Sequence, residues 1–240
     1  MTAPRSSDKS ISRRKLFRYG GGTLAVGLIA SLGWQFRPVA DPDFRAEPLS
    51  AGPETAPEVL VVYASMMGST SEQAGIIADE LRKAGMRTRL ACATDAPDPA
   101  GFDAVILGSA VRGSAWLDEI LEWAGRHEHI IAGMPHALFQ CSMQCAGFRE
   151  FSAGHGLTGE QREILRQDLR AIHDAAPELS DAPVEFFAGK LDWDHLKPQQ
   201  RIFYPVVAGS FFRGDHRRPE QVRAYTRAVL ETPRFTGLRS

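Results

Sequence analysis

The stretch EVLVVYASMMGST, residues 58–70, decides the fold class. Its first half is a short run of apolar and β-branched residues, which is typical of a strand buried on both faces inside a parallel sheet. The next residues, TSEQAGIIADELRKAG (70–85), place their apolar side chains on one helical face, at Ala74, Ile77, Ala78 and Leu81. Ser69 and Glu72 are predicted to form a capping box for this helix, and Gly85 is predicted to end it.

The same alternation of strand and helix continues along the chain. Four further strands are predicted at 86–92, 103–110, 136–142 and 184–189. Helices are predicted after Ser114 as N-cap, over 158–176, and from Pro219 to about Glu231. The inward residues of the second of these helices are predicted to be Leu165, Leu169 and Ile172.

Five strands that alternate with helices predict an α/β fold, because parallel neighbours need crossover connections. We expect an α/β, doubly wound, five-stranded parallel sheet of order 2-1-3-4-5 with helices on both faces. Strand two alternates in polarity and is placed at an edge. Ligands of such folds bind at the carboxyl ends of the strands, beside the switch between strands one and three. Three loops are predicted to meet there: 65–70, 109–115 and 141–157.

Composition narrows the classes of partner. The net charge of -1 comes from 28 basic and 29 acidic residues, so no overall field attracts the chain to nucleic acid, and no nucleic-acid partner is predicted. Three cysteines among 240 residues are too few for a disulfide scaffold, so the fold depends on a hydrophobic core. The predicted domain spans 58–232, with a tail at 233–240.

The N-terminal region has the pattern of an export signal. Residues 12–18 read SRRKLFR, and residues 19–36 carry no charge. This motif resembles the twin-arginine signal, which implies the twin-arginine translocase as a partner and a location in the periplasm or on the outer side of the cytoplasmic membrane. Cleavage after Ala40 and retention of 1–36 as a membrane anchor both stay open. Five prolines in 37–57 predict an extended spacer between membrane and domain.

The turn SMMGST (65–70) is a candidate anion site. Its hydroxyls on Ser65, Ser69 and Thr70 lie at the positive end of a helix, and Gly68 allows close approach of a ligand to the backbone. The turn lacks the lysine of a nucleotide-triphosphate P-loop and is no GxGxxG dinucleotide turn. Hydroxyls that do nothing but cap the helix are the alternative interpretation.

Three segments carry a family resemblance. Strand one with SMMGST, GSAVRGSAW (108–116) and QCSMQC (140–145) resemble the phosphate loop and the two flavin-ring loops of flavodoxins. Within that superfamily the chain looks most like menaquinone-dependent protoporphyrinogen oxidase and its flavodoxin-domain relatives, which share a segment similar to AGKLDW (188–193). The resemblance covers about 58–232 and implies flavin mononucleotide (FMN) as cofactor.

Carried over by position, the resemblance implies sixteen cofactor-binding residues. The phosphate loop would comprise Ser65, Met66, Met67, Gly68, Ser69 and Thr70. The ring loops would comprise Ser109, Ala110, Val111, Arg112, Gly113, Trp116, Ser142, Met143, Gln144 and Gly147. Met67 departs from the family pattern, in which a small polar residue precedes the glycine, and this removes one hydrogen bond to the phosphate.

Several side chains have two interpretations. Trp116 either stacks on the flavin ring or packs in a first helical turn. Arg112 is either a positive charge near the flavin or a substrate carboxylate, or a solvated loop residue. Cys141 and Cys145 are predicted as a structural bridge or two free thiols, because CxxxC is not a redox spacing.

No metal site is predicted. His127 and His129 are interpreted as capping or exposed residues at the end of a helix. The DWDH motif at 192–195 has no second ligand cluster. The apolar and basic stretch at 203–218 is either a membrane-facing patch or a loop that covers the core. In the protoporphyrinogen oxidase relatives this region is an insertion associated with membrane or quinone contact.

The first functional hypothesis is an exported, FMN-dependent oxidoreductase or electron-transfer protein with a quinone or a redox protein as partner. Protoporphyrinogen oxidation is its narrower version, although haem precursors are handled on the cytoplasmic side and export argues against it. The alternative is a flavodoxin-fold binding module that has lost the flavin, which Met66 and Met67 favour. Membrane association through the N-terminal segment is expected in either case if the segment is retained.

Overall fold

The computed structural model describes residues 44–148, 151, 153–191, 195–196 and 214–239. Its strands are β1 (Glu58–Ala64), β2 (Arg87–Cys92), β3 (Ala104–Arg112), β4 (Ala115–Trp116), β5 (His136–Cys141), β6 (Val184–Phe187), β7 (Lys190–Leu191) and β8 (Gly214–Asp215). Its helices are α1 (Ser69–Lys83), α2 (Asp118–Ala132), α3 (Gln144–Gly147), α4 (Gly159–Arg166), α5 (Arg170–Ala175), α6 (Pro219–Leu230) and α7 (Pro233–Thr236). Among these helices, none combines the length and the apolar character needed to cross a bilayer.

The main sheet has the predicted topology. Its parallel strands follow the order β2-β1-β3-β5-β6, which is the expected 2-1-3-4-5 once the short β4 is set aside. Strand β1 lies between β2 and β3, with Val61 opposite Leu90 on one side and Ile106 on the other. Strand β4 pairs antiparallel with β3, and β7 pairs with β8 in a separate two-stranded sheet. The switch point between β1 and β3 is therefore confirmed.

Both faces of the sheet are covered, as a parallel sheet requires. One face packs against α2, α4 and α5, with buried side chains that include Leu60, Val62, Trp123, Leu165, Leu169, Ile172 and Phe186. The other face packs against α1 and α6, with buried side chains that include Val61, Ile77, Phe139, Phe187 and Tyr225. Alternate residues of β1 thus enter two different cores, which is why the strand is apolar along its whole length.

Two predictions about helix starts are wrong. Helix α1 begins at Ser69, and its N-cap is Gly68, with a φ of 82° and no side-chain cap. Ser69 is already helical, so it cannot cap with Glu72. The N-cap of α2 is Leu117 rather than Ser114, because Ser114 lies in the turn of the β3–β4 hairpin with a φ of 61°.

The predicted helix over 158–176 is interrupted. A 3₁₀ turn at 167–169 separates α4 from α5. A capping box does exist at the start of α4, where Thr158 Oγ1 accepts from the Gln161 amide and Gln161 Oε1 accepts from the Thr158 amide.

Residues 44–57, which we call the strap, are not a free spacer. Glu47 forms an antiparallel bridge with Leu90, with N···O distances of 2.8 and 3.1 Å. The amide of Ser50 donates to the carbonyl of Thr88 at 3.0 Å. The strap therefore covers the outer edge of β2, and the folded part begins before residue 58. Unpaired edges invite association with other chains, so this cover also protects the sheet.

Charged side chains fasten the strap to α1. Arg45 forms an ion pair with Asp79 at 3.0 Å and another with Glu47. Arg82 of α1 pairs with Asp79 at 2.9 Å and also with Glu47. The guanidinium of Arg45 lies directly over Gly75, where a Cβ atom would overlap it. A side chain at Gly75 would push the Arg45 guanidinium aside.

Several predicted features lie outside the described residues. These are the export signal (1–36), the cleavage position Ala40, residues 192–194 of the DWDH motif and the apolar part (203–213) of the 203–218 stretch. They stay predictions.

Candidate functional site

A cleft of about 240 Å³ lies at the carboxyl edge of the sheet, where the three predicted loops meet. Eight of the sixteen predicted residues line it: Met66, Met67, Ser69, Ala110, Val111, Ser142, Met143 and Gln144. Four further lining residues were not among the predicted set: Cys141, Gly189, Lys190 and Leu191. Most of the lining is apolar, and its polar side chains are Ser69 at the start of α1, Ser142 and Gln144 in the third loop, and Lys190 of β7.

The loop between β1 and α1 is folded around Gly68. The left-handed conformation of Gly68 turns the chain into the helix, and its amide donates to Ser65 Oγ at 3.0 Å. Ser65 therefore holds the loop in shape and does not line the cleft. Ser69 is the loop hydroxyl that does line it. The first four amides of a helix lack helical partners, so this end of α1 attracts anions.

Thr70 lies below the cleft rather than on its wall. It is fully buried and interacts with the thiol of Cys141. Burial raises the pKa of Cys141 to about 12. Burial also raises the pKa of Cys145. All three cysteines are free, so of the two interpretations the structure has the free thiols and no bridge.

The β3–β4 hairpin places the second loop. Ala110 and Val111 reach the cleft. Ser109 Oγ accepts from the Leu117 amide at 3.0 Å and donates to the Ala110 carbonyl at 2.8 Å, so it fixes the hairpin instead of lining the cleft. Gly113 occupies the hairpin turn with a φ of 60°. Ser109 and Gly113 therefore fix the conformation of the loop.

Arg112 does not line the cleft. Its side chain is 60% exposed and lies 3.6 Å from Asp118. This arrangement matches the interpretation of Arg112 as a solvated loop residue.

Trp116 packs inside the core, so of its two interpretations the stack on a flavin ring is not what the structure has. Its side chain is 2% exposed and belongs to the core between the sheet and α2. The indole nitrogen donates to Gln140 Oε1 at 2.9 Å, and Gln140 Nε2 donates in turn to Asp168 Oδ2 at 3.2 Å. A buried indole needs a partner for its N–H, and Gln140 supplies it inside the core. Trp116 thus supports the hairpin from below, in a strand rather than a helical turn.

The third loop follows β5. Ser142 Oγ accepts from the Gln144 amide at 3.1 Å, and the Ser142 amide donates to the Phe187 carbonyl at 2.9 Å. Met143 and Gln144 line the cleft beside it. Gly147 is exposed at the far end of α3 and does not line it.

The segment after β6 closes the fourth side. Gln73 of α1 donates to the Ala188 carbonyl at 2.9 Å, which holds this segment over the helix. A Cβ atom on Gly189 would lie 3.4 Å from both Ser69 Oγ and Met143 Sδ. Glycine thus lets the backbone lie against the loops. The AGKL motif at the end of the fifth predicted strand was the available signal, but its residues were not among the predicted cofactor-binding set.

The histidines at the end of α2 lie far from the cleft. His129 is 84% exposed, with its Nδ1 2.6 Å from Glu178, and the His127 ring centroid lies 4.9 Å from that of Trp123. Glu128, His129 and Glu178 bring three ligand-type atoms within 4.8 Å of one another. His129 is exposed, as predicted.

These observations define a doubly wound α/β protein with an anion-attracting, otherwise apolar cleft at its switch point. A family model described as "Flavodoxin domain" matches residues 60–208, more than half of the chain. The chain therefore belongs to the flavodoxin-domain family. Among curated proteins, none matches it.

Solved structures with the same kind of fold share little sequence with the chain. A flavodoxin from the domain Archaea is 11% identical, with 76% of this chain and 99% of that chain covered and a TM-score of 0.43. Flavodoxin 1 from Bacillus cereus is 16% identical, with 65% and 96% covered and a TM-score of 0.38. A Fusobacterium nucleatum flavodoxin bound to flavin mononucleotide is 10% identical, with 72% and 96% covered and a TM-score of 0.40.

Proposed function

We propose that the chain binds FMN in this cleft and acts as a flavodoxin-like oxidoreductase or electron-transfer protein. The observation that carries the proposal is the pairing of an anion-attracting helix end with an apolar cleft at one edge of the sheet. FMN has both parts, a charged phosphate and a flat ring. When bound, the flavin supplies one- and two-electron chemistry, while the protein supplies binding, orientation and electrostatics.

The start of α1 fits the phosphate. Gly68 leaves the backbone open to close approach, and the amides that follow it point their partial positive charge along the helix axis. The Ser69 hydroxyl adds a donor, and Lys190 adds a positive charge on the facing wall. No side chain need clash with a phosphate there, so the donors present fit the group.

The rest of the cleft fits a flat aromatic ring. Ala110, Val111, Met143 and Leu191 offer apolar contacts that exclude water and lower the local dielectric constant. Ligand pockets span about 300 to 1,000 Å³, so a ligand as large as FMN would project beyond this cleft. The projecting edge would then be open to an electron-transfer partner.

Location and partners form part of the same proposal. The twin-arginine motif supports export of the folded and loaded protein to the periplasm or to the outer side of the cytoplasmic membrane. A quinone or a redox protein is the proposed electron partner, and protoporphyrinogen-oxidase-like chemistry is the narrower version. Replacing Arg13 and Arg14 by lysine should leave the protein in the cytoplasm, and cell fractionation would measure this. Export of the variant at the wild-type level would argue against the signal.

A binding module that has lost the flavin is the second candidate. Met66 and Met67 line the cleft, and Met67 occupies the position before the loop glycine at which flavodoxins carry a small polar residue. Thioether sulfur is a poor partner for a phosphate, whereas methionine adapts to varied apolar surfaces. The two candidates differ in one property, the uptake of flavin.

An absorption spectrum of the protein purified from cytoplasm, with mass identification of any released chromophore, tests the proposal. Absorption bands at roughly 370 and 450 nm are expected, with about one FMN per chain. Because ionic hydrogen bonds contribute about 1.5 to 3 kcal/mol, FMN should bind at least about tenfold more tightly than riboflavin, which lacks the phosphate. A folded, colourless protein that takes up no added FMN would favour the binding module.

A matched pair of variants sharpens this test. Ser69→Asp places a negative charge where the phosphate is proposed to bind, so FMN affinity should fall by at least about tenfold while an acidic residue still suits a helix start. Ser180→Asp makes the same change at an exposed serine on the opposite edge and should leave FMN binding unchanged. Equal affinities for both variants would place the phosphate elsewhere.

A further inference from the structure

We propose that the cleft faces the membrane, so that its opening docks against the lipid surface that holds the apolar segment 19–36. The inference rests on the retention of that segment as an anchor, which is one of the two alternatives that the sequence leaves open. It does not depend on flavin binding.

The strap fixes the direction from which the chain enters the domain. The strap runs antiparallel to β2. Ser50 lies opposite Thr88 near the start of the strand, and Glu47 lies opposite Leu90 further along it. Strand β2 is parallel to β1, so its carboxyl end lies at the cleft edge of the sheet. Followed towards its N-terminal end, the strap therefore leads to the edge that carries the cleft.

The last contacts of the strap lie beside the cleft itself. The Arg45 amide donates to Ser71 Oγ at 2.6 Å, and Ser71 is only two residues from Ser69 on the cleft wall. Tyr63, at the carboxyl end of β1, donates its hydroxyl to the Arg45 carbonyl at 2.8 Å. Phe44 follows as one of the few large apolar side chains that are exposed, at 39%.

Chain length then excludes the reverse orientation, in which the cleft faces away from the bilayer. The eight residues that separate Phe36 from Phe44 span at most about 29 Å when fully extended. A compact domain of about 200 residues has a radius of gyration near 16 Å and hence a diameter of about 40 Å. If the cleft faced away from the bilayer, the entry point would be about 40 Å from the lipid, beyond the reach of the tether. With the cleft towards the bilayer, the tether has slack.

The lining of the cleft agrees with such a partner. Met66, Met67 and Val111, which are partly exposed, give the cleft an apolar wall at the same edge of the sheet as the entry point. Bringing this wall to a lipid surface would remove it from water, and an electron acceptor dissolved in the bilayer would then meet the cleft directly. Any soluble redox partner would have to approach from the side.

Fluorophores at the two edges of the sheet test the orientation. The full chain, with Cys92→Ala to remove the most accessible thiol, receives a label at Gln144→Cys on the cleft rim or at Asp181→Cys before β6. Both native residues are exposed, and the seven residues of β1 separate the edges by about 23 Å. Each protein is reconstituted in phosphatidylethanolamine–phosphatidylglycerol vesicles with nitroxide-labelled head groups, and quenching is measured.

We expect the label at 144 to be quenched at least threefold more than the label at 181. Releasing the domain with a flexible Gly/Ser insert of about fourteen residues before Phe44 lengthens the tether, and the ratio should then approach one. Equal or reversed quenching in the protein without the insert, failure of the full chain to bind vesicles, or an unchanged ratio after release would overturn the proposal. Flavin absorbance, recorded on the same samples, reports separately on the proposed function.

Discussion

Replacing Gln140 by alanine is expected to destabilise the protein far more than the loss of one surface glutamine would. Gln140 is fully buried, and its amide links the Trp116 indole to the Asp168 carboxyl, with distances of 2.9 and 3.2 Å. Its removal leaves two buried polar groups without their partner. Each such group costs about 1 to 3 kcal/mol, so the free energy of unfolding should fall by about 2 to 6 kcal/mol.

The loss should also depend on pH. Burial raises the pKa of Asp168 above its ordinary value of 3.8, and the hydrogen bond from Gln140 opposes this shift. Without Gln140, the pKa of Asp168 in the folded protein rises further. Below pH 3.8 a carboxyl whose pKa is raised on folding is mostly protonated in both states and lowers the free energy of unfolding least. The free energy of unfolding falls as the pH rises through the raised pKa. The variant should therefore lose more stability at pH 7 than at pH 4.

Urea unfolding followed by circular dichroism at both pH values measures the free energy of unfolding of the variant and of the wild type. Gln144→Ala is the matched control, because Gln144 is exposed on the cleft rim and surface changes cost within about 0.5 kcal/mol. A cost for Gln140→Ala no larger than that of the control would refute the argument about buried partners. A larger loss at pH 4 than at pH 7 would refute the assignment of the pH effect to Asp168.

Three further outcomes are expected. Gly108→Ala should lower the free energy of unfolding by about 1 to 3 kcal/mol in urea titrations, because a Cβ there would overlap the Phe139 ring inside the sheet. Met67→Thr should tighten FMN binding about fivefold or more in fluorescence titrations, because it restores a hydroxyl to the proposed phosphate loop. The Cys141 thiol should resist iodoacetamide at pH 8 in the folded protein and react on unfolding, because its pKa is about 12 and it is buried.

Each of these outcomes has its own check. Gly101→Ala has no atom within 4 Å of the new methyl group, so its stability should match the wild type, and an equal loss in both glycine variants would contradict the packing argument. Unchanged or weaker FMN binding by Met67→Thr would count against the phosphate position. Rapid alkylation of Cys141 in the folded protein, located by peptide mass mapping, would show that the thiol is accessible.

The strands were predictable because the apolar pattern is local. Residues of β1 and β3 that are buried on both faces form continuous apolar runs, and the alternating polarity of β2 indicates an edge. The loop residues of the cleft could be predicted for a related reason. Loops that follow neighbouring parallel strands must meet at the same edge, so Met67, Ala110 and Met143 come together once the strand order is known.

Other features depended on contacts between distant residues. The predicted stack of Trp116 was wrong because its partner, Gln140, lies on another strand. The strap looked like a proline-rich spacer because its bonds to Thr88 and Leu90 leave no periodic pattern. The predicted capping box had the right residue types, but Gly68, not Ser69, makes the turn into the helix.

The sequence by itself determined the sheet order and the position of the switch point, because both follow from the local pattern of apolar and turn residues, and the family resemblance supplied most of the loop residues that line the cleft. Only the tertiary structure decided which loop side chains reach the cleft, that the Gly189 segment forms its fourth wall, and that the strap enters beside it. These depend on how side chains far apart in the chain fill one space, and the energy of such packing is set by all the partners together.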